Sequence, residues 1–474
     1  MTRSTSPQRT RKRTATATTN THSSRSRSGQ RRSSQRSSTS LLTPTLLAWY
    51  GVLLFVLAVF PLLFMALEDA QWVSPSPSLT SPVSIGVMLV HMVCVSVAVV
   101  YIGAHVSAAR EGERQRALQL LRKHGRDGRR DMEAALAELE REVIGRSDAL
   151  RIPLVASCGL FGLFLAIRYL PPQVVTWVVG SYLTVAGLAS VANVLAPLYE
   201  VFGVRDDLLA SLSSERNGEV DAAEPGRPSA SPTPWLSRRF RLFHGSVVVQ
   251  ARDLLSMAVA VPLMVWYFRA PASHAFVLNN VFAASLGVTG IELLALGDFK
   301  SAVLLLLGLF AYDIFWVFGS ESVFGDNVMV SVARGISGPF KFVFPRPRTR
   351  PDRPREFSML GLGDLVIPGV FVALMLRFDN RHTPTRSAPP HKPYFRVAII
   401  AYAAGMVLTF GVMAWSGVAQ PALLYLVPLC LASPIALAIC RGDWRSLWRY
   451  EEVEEEEKES GSKAPKRSIR TKAE

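Results

Sequence analysis

The chain has 474 residues and a formal net charge of +15, and 49% of its residues are apolar. Uncharged apolar runs of about 18 residues or more recur along it, and a soluble domain of this size does not need so many. The composition therefore excludes an ordinary soluble protein. Because the positive charge lies outside the apolar runs, it indicates membrane topology and anionic lipid headgroups, and it does not call for nucleic acid.

The N-terminal residues form the first predicted element. Residues 1–40 are rich in Ser, Thr and Arg and contain no acidic residue, so we expect a disordered basic arm over 1–43. An Arg-rich, acid-poor start is also typical of a mitochondrial transit peptide. However, the apolar run at 44–67 is too long for a cleaved signal core, and we interpret it as an N-terminal membrane anchor.

Ten membrane spans are predicted in an all-α polytopic fold. N-terminal transmembrane helices occupy 83–197 and include a basic linker at 108–151, and a polar flexible linker follows at 198–252. The region 253–440 holds the remaining spans, and a charged tail occupies 441–474. The individual spans are 44–67, 83–107, 152–170, 173–197, 253–269, 276–296, 300–319, 357–377, 395–416 and 419–440.

The distribution of Lys and Arg predicts the orientation of these spans. Linkers on the cytosolic side carry an excess of basic residues, and the N-terminal arm and the linkers 108–151 and 198–252 are rich in Arg. An even number of spans then returns the C-terminal tail to the cytosol. The linker 320–356 is also basic, yet parity places it on the opposite side.

Two aspartates, Asp313 and Asp364, lie inside apolar runs. A carboxyl group at the bilayer centre costs roughly 2.5–3.5 kcal/mol, so it is expected to face the protein interior and to have a function. Asp313 lies about six residues before the end of its predicted span and Asp364 about seven after the start of the next, so both fall roughly 10 Å from the same membrane face. Two such carboxyls can share one proton and activate water against a peptide bond, without metal or cofactor. This pattern predicts an aspartyl protease.

The residues around the aspartates are candidates for substrate binding. Small residues such as Gly361 and Gly363 leave room for a substrate backbone beside the second aspartate. The turn at the start of the last span lies on the same predicted face, and its backbone groups are suited to shape a substrate-binding loop. Tyr312 either lines the site or packs in the core. The candidates are Tyr312, Gly361, Leu362, Gly363, Gln420, Pro421, Ala422 and Leu423. We interpret Glu292 and His91, which also lie within spans, as packed and partnered polar groups.

These motifs together resemble the presenilin and signal peptide peptidase superfamily. The resemblance rests on Tyr312-Asp313, on Gly361-Leu362-Gly363-Asp364 and on Pro421-Ala422-Leu423, which occur in this order on three spans. The surrounding residues are more similar to the signal peptide peptidase branch, as are Asn327-Val-Met-Val and Lys341-Phe-Val-Phe-Pro345. Two features depart from the family pattern, namely the insert 321–326 and the additional span 44–67.

The resemblance implies a presenilin-like bundle of nine transmembrane helices, here with an extra N-terminal span. It further implies an endoplasmic reticulum protease that cleaves remnant signal peptides and other transmembrane helices whose N-termini face the cytosol. A homo-oligomer and contacts with the membrane-protein degradation machinery are compatible with it. Two rival functions stay open: a non-catalytic quality-control partner, and a proton-coupled transporter, which would be expected to show internal repeats.

Overall fold

The fold is seen in a computed structural model. It describes residues 44–69, 82–123, 142–201, 239–242, 247–325, 328–336, 338–346, 356–382, 392–417 and 420–452. The predicted basic arm 1–43, residues 202–238 and 243–246 of the linker 198–252, and the tail beyond Glu452 lie outside the described residues.

Helices occupy all ten predicted span positions. The first is a continuous rod made of α1 (Pro44–Leu54), the π-helical turn π1 (Phe55–Val59) and α2 (Phe60–Asp69). The seventh likewise consists of α8 (Phe299–Ile314), π2 (Phe315–Gly319) and α9 (Ser320–Phe324). The other eight are α3 (Pro82–Lys123), α4 (Arg146–Tyr169), α5 (Pro172–Val201), α6 (Ala251–Arg269), α7 (Ala272–Leu293), α11 (Gly363–His382), α12 (Pro393–Ser416) and α13 (Leu423–Arg441). Two short helices complete the set, α10 (Val328–Gly335) and α14 (Trp444–Trp448).

The surface of the helices is that of a membrane protein. Eight helical segments within the described residues are long and apolar enough to cross a bilayer. Large aromatic side chains point outward from them, with exposed fractions of 75% for Trp177 and 89% for Trp415. Such rings are stable against lipid and at the membrane interface. The expected all-α polytopic membrane fold is therefore confirmed.

Three short strand pairs stand beside the helices. Strand β1 (Glu142–Ile144) runs parallel to β4 (Leu294–Leu296), and β2 (Arg239–Leu242) is antiparallel to β3 (Val247–Gln250). The third pair, β5 (Lys341–Pro345) with β6 (Phe357–Gly361), is antiparallel and leads directly into α11. We call the end of the bundle that carries β5 and β6 the hairpin end. The opposite end, where α11 and α13 finish, is the tail end.

The structure differs from the prediction at the start of two spans. The span predicted at 357–377 begins as strand β6, because Phe357–Gly361 pairs with Lys341–Pro345, and the helix starts only at Gly363. Asp364 is thus the second residue of its helix, whereas the prediction placed it seven residues after the start of a longer helix. In the last span the helix begins at Leu423, so residues 420–422 form a turn that precedes it.

The extra N-terminal helix packs along α3. Its buried face includes Tyr50 and Leu57, and Trp49 stacks on Tyr101 of α3 with ring centroids 4.4 Å apart. The Nε2 atom of His91 in α3 lies 2.8 Å from the Val56 carbonyl oxygen within π1 and donates to it. A π-helical turn disturbs the usual ladder of backbone hydrogen bonds, and this contact engages one of its carbonyls.

His91 and Glu292, two polar groups that lie inside the spans, are paired, as expected. Besides the His91 contact, Glu292 of α7 accepts hydrogen bonds from Arg110 of α3 at 2.7 Å and from Asn193 of α5 at 2.6 Å. An unpaired charge among apolar helices would be costly, so partners of this kind are needed for the bundle to form. The interpretation of His91 and Glu292 as packed, partnered groups is confirmed.

Helix α11 lies at the centre of the bundle. Every residue from 368 to 379 is buried, and the helix packs against α3, α7, α8 and α12. Association of helices in lipid depends on close van der Waals contact, which small residues permit. Gly369 is such a residue, because a Cβ atom there would lie 2.5 Å from Cδ1 of Ile291 in α7.

Substitution of Gly369 by Ala is expected to loosen this contact. The added methyl group would force Ile291 or the backbone to move, and overpacking of this kind costs about 1–3 kcal/mol. Gly411 of α12 is the matched control, since a Cβ atom there would meet nothing within 4 Å. Thermal unfolding in detergent should show a lower midpoint for Gly369→Ala and not for Gly411→Ala. Equal midpoints would contradict tight packing at Gly369.

Candidate active site

Asp313 lies one residue before the end of α8 and is almost fully buried, with 1% of its surface exposed. Its Oδ2 atom accepts a hydrogen bond from the backbone N–H of Leu423 at 3.0 Å. Leu423 is the first residue of α13, and the N-terminus of a helix carries unsatisfied N–H groups and a partial positive charge. The first and third sequence motifs therefore meet through a backbone donor and a carboxylate.

Asp364 is half-buried at the N-terminus of α11. Its carboxyl group is close enough to that of Asp313 to interact with it electrostatically. The two aspartates come from antiparallel helices, one near its C-terminal end and the other at its N-terminal end. The fold thus brings the two predicted catalytic residues together.

The segment before Asp364 is held by strand pairing. The N–H of Leu362 donates to the Phe340 carbonyl at 3.0 Å, which continues the ladder of β5 and β6. The Leu362 side chain would lie 3.5 Å from a Cβ atom on Gly287 of α7, so it packs into the bundle. A Cβ atom on Gly361 would lie 3.2 Å from Oδ2 of Asp364, whereas one on Gly363 would meet nothing within 4 Å. Gly361 therefore makes room for the carboxylate, and Gly363 faces open space.

The outer edge of β5 is covered by two residues that the sequence analysis missed. Asn280 of α7 both donates to the Val343 carbonyl and accepts from the Val343 N–H, each at 2.8 Å. Asn279 donates to the Lys341 carbonyl at 2.8 Å. Two adjacent asparagines in an apolar helix were an available signal, because polar side chains often join elements within a membrane.

Tyr312 lies between the aspartates and an aromatic cluster. Its ring packs 6.5 Å from that of Trp316, and the hydroxyl is near enough to Asp313 and Asp364 to interact electrostatically with both. The Trp316 Nε1 atom donates to Ser157 of α4 at 3.1 Å. Both readings of Tyr312, as a lining residue and as a packed one, agree with this position.

The turn before α13 is internally bonded. Gln420 contacts Ser416 and Tyr425 through its side-chain amide, at 3.3 and 3.2 Å. The Pro421 and Ala422 carbonyls accept from the N–H groups of Leu424 and Leu426. Of these predicted residues, Leu423 contacts an aspartate directly, while residues 420–422 give the turn its shape.

An open apolar groove runs along the outer side of α8, on the face of the helix that turns away from the buried Asp313. Its volume is about 520 Å³, and it extends along the π-helical turn π2. The lining residues are Phe310, Ala311, Ile314, Phe315, Phe318 and Gly319. Among the described residues, no group of three or more His, Cys, Asp and Glu is placed to hold a metal ion.

Comparison with known proteins gives consistent matches. A family model described as signal peptide peptidase matches residues 137–454. Signal peptide peptidase of Mus musculus is 33% identical over 342 residues, which cover 68% of this chain and 79% of the relative. The Homo sapiens protein of the same name is 33% identical over 323 residues, covering 66% and 74%. Intramembrane protease 2 of Caenorhabditis elegans is 41% identical over 220 residues, covering 44% and 45%.

Proposed function

Since the chain belongs to the signal peptide peptidase family of intramembrane proteases, we propose that Asp313 and Asp364 are its catalytic pair. The observation that carries the proposal is their convergence from two helices, with Asp313 bonded to the Leu423 N–H. Two neighbouring carboxyl groups do not both ionise readily, because their negative charges repel each other. The pair therefore holds one proton and titrates as a unit.

The surroundings of the two carboxyls suggest different roles. Asp313 accepts an N–H bond at a helix N-terminus, and such a donor favours the ionised form. We therefore assign the shared proton to Asp364 in the resting enzyme. Asp313 then acts as the general base and Asp364 as the general acid.

The reaction proceeds by direct attack of water. Asp313 takes a proton from water, whose oxygen bonds to the scissile carbonyl carbon, while Asp364 donates its proton to the carbonyl oxygen. The tetrahedral intermediate then breaks its C–N bond, and the leaving nitrogen takes the proton held by Asp313. Asp364 recovers its proton from the collapsing hydroxyl group, so both carboxyls return to their starting states.

The hairpin offers a way to hold an unwound substrate. All five residues of β6 lie opposite residues of β5, but the backbone groups of Val343, which faces Met359, bond Asn280 on the outer edge of β5. The hydrogen bonds between the strands therefore run through Leu360 and Ser358, and the backbone groups of Met359 and Gly361 point to the other edge of β6. Within the described part of the chain, no strand pairs with that edge. An extended substrate added there would place its backbone beside Gly363 and Asp364. The apolar groove along α8 is suited to the part of the substrate that is still helical.

The substrates that fit this site are membrane-spanning helices. The names of the mouse and human relatives point to signal peptides, and we extend that substrate class to this chain, together with other helices of the same orientation. We place the protein in the endoplasmic reticulum membrane with both termini in the cytosol, which puts the hairpin end on the lumenal side. Binding to partner proteins and the formation of a homo-oligomer remain predictions.

The proposed function is tested with purified full-length protein in lipid and a labelled signal-peptide substrate. We expect cleavage within the apolar part of the peptide, with product ends defined by mass spectrometry. A substrate analogue with a hydroxyl-bearing isostere at the scissile bond should bind at least about 10²-fold more tightly than the substrate, because it mimics the tetrahedral intermediate. Failure of the folded protein to cleave, together with failure to bind the analogue, would contradict an aspartyl mechanism.

A further inference from the structure

The chain beyond the last spanning helix folds back onto the bundle at the tail end. This C-terminal segment (residues 444–452) includes α14 and buries Leu447 and Tyr450. The Tyr450 carbonyl accepts from the Phe299 N–H at 3.3 Å, and the Glu452 N–H donates to the Gly297 carbonyl at 2.8 Å. The segment therefore pairs with the chain at the start of α8, the helix that carries Asp313.

The same segment holds the end of α11, the helix that carries Asp364. Glu452 accepts from Nε of Arg377 at 2.7 Å, and only 2% of the Arg377 side chain and 6% of that of Glu452 are exposed. Arg377 also donates to Ser107 of α3 at 2.8 Å. One turn later, Arg381 donates to the carbonyls of Glu451 and Glu452 at 3.2 and 3.3 Å.

A second charged contact joins this network to α4. Arg146 bonds Asp298 at 2.8 Å and lies 3.3 Å from Glu451. Burial raises the pKa of Asp298, but hydrogen bonds from Ser301 and the Arg146 guanidinium outweigh it and hold that pKa below its usual value. Asp298 also caps α8 by accepting from the Ser301 N–H. The start of α8 is thus fixed by charge as well as by backbone pairing.

The distances from this network to the two carboxyls are nearly equal. Asp313 lies fourteen residues after Phe299, and Asp364 lies thirteen before Arg377. At 1.5 Å per residue each separation is about 20 Å along a helix. Because an α-helix keeps its rise, a displacement of either helix at the tail end moves its carboxyl relative to the other.

We infer that the C-terminal segment is a positioning element of the active site, and that the Arg377–Glu452 pair sets the axial register between the helices that carry Asp313 and Asp364. The inference rests on the proposed function for its catalytic consequence. A buried arginine whose carboxylate partner is removed is strongly unfavourable, so Arg377 would have to move toward water and take the end of α11 with it.

The test compares full-length Glu452→Gln with Asp443→Asn. The control also loses a carboxylate just after α13, but its ion pair with Arg441 is half-exposed, with 46% of the Asp443 side chain accessible. We expect Glu452→Gln to lower kcat about tenfold or more and to leave KM within about twofold of the wild-type value. The reason is that the variant still binds substrate but holds the two carboxyls out of alignment. Asp443→Asn should keep both constants.

Amide hydrogen exchange supplies a readout independent of catalysis. Glu452→Gln should speed exchange in the first turns of α11, near Asp364, while exchange in α5 stays unchanged. If the wild type cleaves no peptide, the proposed function fails and the exchange comparison still decides this inference. If Glu452→Gln matches Asp443→Asn in exchange and in kcat, the inference is overturned. Should Glu452→Gln fail to fold, Glu452→Asp keeps the charge, and the inference requires a fall in kcat at an unchanged melting temperature.

Discussion

Asp364→Asn is expected to reduce cleavage of a signal-peptide substrate by about 10²–10⁴-fold, the range that a positioned acid–base group contributes. Asparagine has nearly the same shape, but it can neither carry the shared proton nor return it to the leaving group. Asp313→Asn should have the same effect, since the pair acts as a unit. Initial rates in lipid vesicles at saturating substrate measure the loss.

The folded state should survive this change. Removing one of two neighbouring carboxyls removes an electrostatic conflict, so the melting temperature of Asp364→Asn is expected to equal or exceed that of the wild type. Glu356→Gln is the matched control, because Glu356 lies just before β6 and 78% of its side chain is exposed. An Asp364→Asn protein that cleaves at the wild-type rate would remove the basis of the proposed mechanism. Cleavage would then have to depend on a different residue of the protein.

Gly361→Ala is expected to lower kcat by about 10- to 100-fold, because a displacement of the reacting groups by up to 1 Å can have that effect. A Cβ atom there would lie 3.2 Å from Oδ2 of Asp364, closer than such contacts normally are. The carboxylate would have to shift by a few tenths of an ångström or more. Strand β6 cannot easily yield, since it is paired with β5 up to Gly361 itself.

The neighbouring glycine provides the comparison. A Cβ atom on Gly363 would meet nothing within 4 Å, so Gly363→Ala should leave the Asp364 carboxylate in place and the melting temperature unchanged. Because Gly363 faces open space beside the carboxyls, any loss should appear in KM. Measurement of kcat and KM for both variants separates the two glycines. If Gly363→Ala lowers kcat as much as Gly361→Ala, steric crowding of Asp364 does not explain the loss of activity in Gly361→Ala.

The sequence predicted the class of fold and the catalytic pair because both follow from local chemistry. Apolar runs of membrane length identify helices whatever their neighbours are. A carboxyl in such a run is so costly that Asp313 and Asp364 stand out without any structure. The flanking residues Gly361, Pro421 and Leu423 followed from the same motifs.

The contacts that build the site depend on residues far apart in the chain. Leu423 lies 110 residues from Asp313, whose carboxylate its N–H contacts. Asn280 lies 63 residues from the strand edge that it covers. Single-segment patterns carry no information on such pairs. For the same reason, the prediction that residues 357–361 are helical was wrong. Their pairing with β5, a separate segment of the chain, makes them a strand.

By itself, the sequence determined that this protein is a polytopic membrane protein with two carboxyls inside apolar runs, since hydrophobicity and the cost of buried charge act within each segment. The tertiary structure alone decided how those carboxyls differ, because Asp313 receives a helix N-terminal N–H and Asp364 begins a helix after a paired strand. It also decided that Glu452 neutralises Arg377, 75 residues away. Buried charges must find partners wherever the fold brings them, and that choice is made only when the helices pack.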